Sequence, residues 1–105
     1  MNPNQNALFT NNNSNFFLIA GPCVVEDDEM VFSIADKVSS ICKSLEIPYI
    51  FKASYRKANR TSANSFTGIG DEKALKILQK VSKEFGVPTV TDIHTNEDAV
   101  MAAEY

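Results

Sequence analysis

Residues 47–70 read IPYIFKASYRKANRTSANSFTGIG. The opening part, residues 49–53 (YIFKA), is a short apolar run after Pro48 and reads as a β-strand, while residues 54–70 are polar and read as a long loop. Upstream, residues 16–20 (FFLIA) form a continuous apolar run stopped by Gly21-Pro22, the pattern of a strand buried on both faces. Between the two strands, residues 29–45 place Val31, Ile34, Val38, Ile41 and Leu45 at the spacing of one helix face, with Asp27 and Asp28 near its start. Downstream, residues 72–85 repeat that spacing with Leu75, Leu78, Val81 and Phe85, and Gly86 stands where a left-handed helix terminus belongs. A third strand is expected over residues 89–93 after Pro88. Thr95 or Asn96 then caps a third helix, which the chain is expected to enter by only a few residues.

The resulting order is βαβαβα, which predicts parallel strands joined by right-handed crossovers. Such an order opens a (β/α)8 barrel or forms part of an open doubly wound sheet, and the order alone does not choose between them.

Composition sets outer bounds. The chain has 105 residues and 11.6 kDa, with 44% hydrophobic and 22% charged residues, which excludes a disordered or collagen-like chain. A net charge of -3 and a pI near 5.0 argue against a nucleic-acid partner. No apolar run approaches the roughly 18 residues of a membrane span, so no membrane partner is expected. Residues 1–15 (MNPNQNALFTNNNSN) lack the basic and apolar regions of a secretory signal and read as a flexible tail, with residues 16–105 forming the folded part. Cys23 and Cys42 are too few for a disulfide framework, in keeping with free thiols in the cytoplasm.

The polar residues collect at one end of the expected strands. Cys23 follows the first, Lys52 and Ser54 close the second, and Asp92 and His94 close the third. Carboxyl ends of parallel strands share one face, where ligands bind in both candidate architectures. Residues 52–62 (KASYRKANRTS) place Lys52, Arg56, Lys57 and Arg60 among Ser54, Asn59, Thr61 and Ser62. Arginine chelates phosphate or carboxylate oxygens through two bonds and lysine adds a mobile charge, so this run suits an anionic ligand, although a solvated basic loop has the same pattern. Lys52 favours the ligand, because a lysine inside an apolar strand must be paired or must face a cavity. Cys23 reads as a packed thiol or as a metal ligand, and Cys42, within the first helix, as structural. Asp92 and His94 are strand-end groups with structural or functional readings. Gly68-Ile69-Gly70 lacks the strand that precedes a dinucleotide fingerprint and reads as loop punctuation.

Residues 20–26 (AGPCVVE), 47–70 and 85–94 (FGVPTVTDIH), taken together and in order, resemble 3-deoxy-D-manno-octulosonate 8-phosphate synthase. Its relative, 3-deoxy-D-arabino-heptulosonate 7-phosphate synthase, shares a GPC-type first motif but has a shorter KPRTS-type second one, and KANRTS favours the octulosonate enzyme. One departure is Tyr55-Arg56, where the family commonly has Phe-Asp after Lys-Ala-Ser. The resemblance implies a (β/α)8 barrel condensing phosphoenolpyruvate with D-arabinose 5-phosphate. It implies catalytic Lys52, Lys57 and Asp92, with Ser54, Asn59, Arg60 and Ser62 binding substrate. The family divides into a metal-dependent branch with Cys and a metal-independent branch with Asn at the position of Cys23. Cys23 thus implies a divalent zinc, iron or manganese ion, and family members are homotetramers.

A (β/α)8 barrel takes about 250 residues, so 105 residues correspond to three of its eight units. The expectation is therefore an amino-terminal portion of a barrel, truncated after its third unit, with strand edges that invite association. The isolated 105-residue chain is expected to be inactive and marginally folded. A cooperative melt combined with synthase activity from that chain would overturn this expectation.

Overall fold

The computed structural model describes residues 16–56 and 69–105. The tail over residues 1–15, and Lys57, Asn59, Arg60 and Ser62 of the basic run, lie outside the described residues. Among the described residues six elements alternate: β1 (Leu18–Ala20), α1 (Asp28–Ser44), β2 (Tyr49–Lys52), α2 (Asp71–Phe85), β3 (Thr89–Val90) and α3 (Asn96–Ala102). The strands form one parallel sheet in the order β1-β2-β3, with Leu18 opposite Tyr49, Ala20 opposite Phe51, and Phe51 opposite Thr89.

The central strand organises the packing. Its side chains alternate, so Tyr49 and Phe51 are buried on one face while Ile50 and Lys52 are half-buried on the other. Against the Tyr49–Phe51 face pack Val31, Ala35 and Cys42 of α1 and Leu75, Leu78 and Val81 of α2, within one apolar cluster. The two helices also meet directly through Phe32 and Phe85, whose ring centroids are 6.3 Å apart. Each fully buried side chain of this kind contributes roughly 1.5–3 kcal/mol, which is how three short strands are held under two helices.

The helix termini follow local chemistry. Asp27 caps α1 by accepting from the Met30 amide at 2.7 Å. Its far end turns through Glu46, at φ 58°, and closes with the Ile47 amide donating to the Cys42 carbonyl at 2.8 Å. A left-handed conformation costs a residue with a Cβ about 1–2 kcal/mol, so Glu46 is a strained turn of the kind that Gly86 makes without strain at the end of α2. Gly70 starts α2 at φ 116°, consistent with the punctuation role read from its sequence. Thr95 caps α3 through a reciprocal capping box with Asp98.

Three expectations are corrected. The run at residues 16–20 is not buried on both faces: Phe16 is 63% and Ile19 51% exposed, because β1 lies at the sheet edge and the helices cover only one face. On α1, Ile41 and Leu45 are 58% and 63% exposed, and the buried stripe runs instead through Val31, Ala35 and Cys42. The helical spacing holds, and Ile34 and Val38 pack against the core as expected, but the most buried positions are Val31, Ala35 and Cys42. β3 is also shorter than expected, ending at Val90.

Gly21 is required by a close approach. Where the chain leaves β1 it presses on β2, and a Cβ on Gly21 would overlap the Lys52 carbonyl oxygen. Tyr49 adds a bond across the same pair of strands, its hydroxyl donating to the Ala20 carbonyl at 2.8 Å. Burial, with a smaller contribution from Cys42, pushes that phenol up to about 12. Gly21→Ala is expected to destabilise the fold by the upper end of roughly 1–3 kcal/mol, because backbone rather than a flexible side chain must move. Thermal denaturation of the variant against the parent checks this.

Candidate functional site

The carboxyl ends of the three strands converge. Beyond β1, Val24 bridges in parallel to Ser54, the Val25 amide donates to the Ser54 carbonyl at 2.9 Å, and the Ser54 amide donates to the Cys23 carbonyl at 3.2 Å. Cys23 is thereby held beside the exit of β2 with its side chain exposed. Between β2 and β3 the Ala53 amide donates to the Val90 carbonyl at 3.3 Å, which places the exit of β2 next to residues 91–94. Backbone pairing alone therefore gathers Cys23, Lys52, Ser54, Asp92 and His94 at one end of the sheet, as the sequence pattern predicts.

Asp92 is the centre of this group. One carboxylate oxygen, Oδ2, lies 3.2 Å from His94 Nε2, and the other, Oδ1, is buried without a hydrogen-bond partner of good geometry. Burial pushes the carboxyl up. The Ser54 hydroxyl, the residue's own backbone amide and the charges of Lys52 and His94 outweigh it and hold Asp92 below the ordinary carboxylate value. The result is an anionic oxygen facing a lysine and an imidazole at the mouth of three parallel strands, an arrangement suited to orienting or exchanging a proton with a polar substrate.

A second carboxylate was missed by the sequence reading. Asp98, only 7% exposed, accepts at Oδ2 from Arg56 Nη2 at 2.9 Å and from the His94 and Thr95 amides at 3.2 Å each. Arg56 Nη1 reaches Asp71 Oδ2 at 3.4 Å, and its guanidinium carbon stands 5.6 Å from the centroid of the Tyr55 ring. The Tyr55 hydroxyl faces Asp98 without completing a hydrogen bond of good geometry. Burial raises Asp98, but the His94 amide, Arg56, the Tyr55 hydroxyl and the Thr95 amide together hold it below the ordinary value. The T-x-x-D spacing of Thr95 and Asp98 is the signal from which the cap could be read. Arg56, 42 positions away, is joined to it only by the fold.

Among the described residues no group of three or more His, Cys, Asp or Glu side chains is placed to hold a metal ion. These residues supply one candidate donor, Cys23, and do not by themselves compose a metal site. Cys42 is buried with its thiol pushed up by burial, in keeping with a structural role.

The lowered carboxylates give acid stability a sign. Below about pH 4 the unfolded chain takes up protons that folded Asp92 and Asp98 resist, so their contribution is complete above the ordinary carboxylate value and is lost as pH falls through the folded one. Melting temperature is expected to fall between pH 5 and pH 3. Asp98→Asn is expected to melt lower at neutral pH and to show a shallower acid slope, read from melting curves across that range.

Residues 2–105 match the model of the DAHP synthetase I family. The 2-dehydro-3-deoxyphosphooctonate aldolase of Koribacter versatilis is 52% identical over 88 residues, which cover 84% of this chain and 32% of that protein. The proteins of the same name from Variovorax paradoxus and Aromatoleum aromaticum are 53% and 52% identical over 89 and 90 residues, covering 85% and 84% of this chain and 31% and 32% of theirs. The chain thus spans about a third of the length of the curated relatives it matches. That name is another for octulosonate 8-phosphate synthase, so the resemblance carried by the three motifs is borne out. The chain belongs to the DAHP synthetase I family.

Proposed function

We propose that this chain forms the first three units of a (β/α)8 barrel that condenses phosphoenolpyruvate with D-arabinose 5-phosphate, giving 3-deoxy-D-manno-octulosonate 8-phosphate and inorganic phosphate for lipopolysaccharide synthesis in the cytoplasm. The observation that carries the reading is the meeting of Lys52, Ser54 and Asp92 at the carboxyl ends of adjacent parallel strands. Sequential strand order and helices on one face support a barrel over a doubly wound sheet, which needs helices on both. The uncovered face, where Ile19 pairs with Ile50 and Lys52 with Val90, then becomes barrel interior.

In this reaction C3 of phosphoenolpyruvate attacks the sugar aldehyde carbon. Water adds at C2, and phosphate leaves by cleavage of its C–O bond. Lys52 and Lys57 supply fixed positive charge where carboxylate and phosphate oxygens gather, and such preorganisation is the main source of rate. Ser54, Asn59, Arg60 and Ser62 bind the substrates, with the last three directed to the sugar phosphate. Asp92, held anionic, accepts a hydrogen bond from water or a sugar hydroxyl and orients it. Cys23 would supply one thiolate donor to a divalent ion, which when bound would orient and polarise the sugar aldehyde. The working assembly is a homotetramer.

The test uses the full-length gene product and follows phosphate release from phosphoenolpyruvate. Arabinose 5-phosphate is expected to be turned over and erythrose 4-phosphate poorly. The reverse preference would make the protein a heptulosonate synthase, and binding without turnover would make it a phosphometabolite-binding module. Lys57→Ala is expected to lower kcat by about 100-fold or more, and unchanged turnover with unchanged affinity for both substrates would remove Lys57 from the site. Cys23→Asn is expected to abolish chelator-sensitive activity, measured with metal analysis of parent and variant.

A further inference from the structure

We infer that Arg56 and Asp98 form a charge clamp that positions the Asp92–His94 pair, making Arg56 a positioning residue; this rests on the proposal that Asp92 belongs to the active site.

The argument begins with the cost of Asp98. A carboxylate 7% exposed loses most of its hydration and persists only if charges and donors replace it. Local capping provides part of the replacement, since the His94 and Thr95 amides both reach Oδ2. Among the described residues, the only full positive charge bonded to that oxygen is Arg56, at 2.9 Å, from the exit of β2. The shared oxygen makes the contact directional. Oδ2 is held by Arg56 on one side and holds the His94 amide on the other, so the exit of β2 sets where residue 94 begins. The His94 imidazole in turn lies 3.2 Å from Asp92 Oδ2.

Arg56 is itself fixed. Its fork spans to Asp71 at the start of α2, and its plane lies near the buried Tyr55 ring, two constraints that limit its rotamers before it meets Asp98. One guanidinium therefore joins the exit of β2 and the starts of α2 and α3. The joint does not touch Asp92; it acts through the backbone of residue 94. A capping box alone would hold α3 without Arg56, so a separate part for the guanidinium is a claim about placement between elements.

The experiment compares the full-length protein with Arg56→Met and Arg56→Lys, using amide hydrogen exchange and steady-state kinetics. In Arg56→Met the His94 and Thr95 amides are expected to exchange about tenfold faster with α1 unchanged, and kcat to fall about tenfold while KM for both substrates stays within about threefold. Arg56→Lys, which keeps the charge, is expected to recover most of that kcat. Unchanged exchange at His94 and Thr95 overturns the clamp. Faster exchange with unchanged kcat overturns its positioning role, as does a lysine variant as slow as the methionine one. A full-length parent without synthase activity, combined with the expected exchange change, counts against the functional reading and supports the clamp. Should Arg56→Met fail to fold, Arg56→Gln takes its place in the same comparison.

Discussion

Everything in this molecule hangs on the parallel pairing of β2 with both neighbours. Among the described residues Tyr49–Lys52 is the only strand with a hydrogen-bonded partner on each side, and its alternation divides the labour. Tyr49 and Phe51 anchor the two long helices, while Lys52 is left on the other face at the carboxyl end. Parallel pairing also forces the three strand exits to the same end, and there the chemistry gathers. The close approach of Gly21 to the Lys52 backbone is the tightest expression of this constraint: β1 and β2 meet so nearly that no side chain fits between them.

At that end two carboxylates are treated differently. Asp92 faces Lys52, Ser54 and His94 and keeps about two-fifths of its side chain exposed, so it is anionic and reachable. Asp98 is buried, with its bonded oxygen occupied by two amides and a guanidinium, and so it serves as a joint. Both lie below the ordinary carboxylate value. Only the solvent-facing one is free to meet a substrate, which is why a lowered carboxylate by itself does not mark a catalytic group.

The expectations failed where packing direction had to be known. Val31 was placed correctly, yet Ile41 and Leu45 face solvent while Ala35 and Cys42 are buried. Periodicity reports that a stripe exists, but packing against the sheet and α2 sets which positions along it are most buried. The apolar run before Gly21 was read as buried on both faces, the correct pattern for an inner strand, but helices cover one face of the sheet and β1 stands at its edge.

By itself the sequence determined the alternation of elements, the helix terminus at Gly86, a cap at Thr95 or Asn96, and the collection of Cys23, Lys52, Ser54 and Asp92 at strand ends. These are local properties, governed by side-chain period, backbone conformation and chain order. Family membership was legible too, because three motifs in a fixed order are far more specific than any one of them. Tertiary structure alone decided the joining of Arg56 to Asp98 across 42 positions, the lowering of both aspartates, and the side of α1 that is buried. Each depends on which groups meet once the strands pair, and a linear pattern carries no record of such distances.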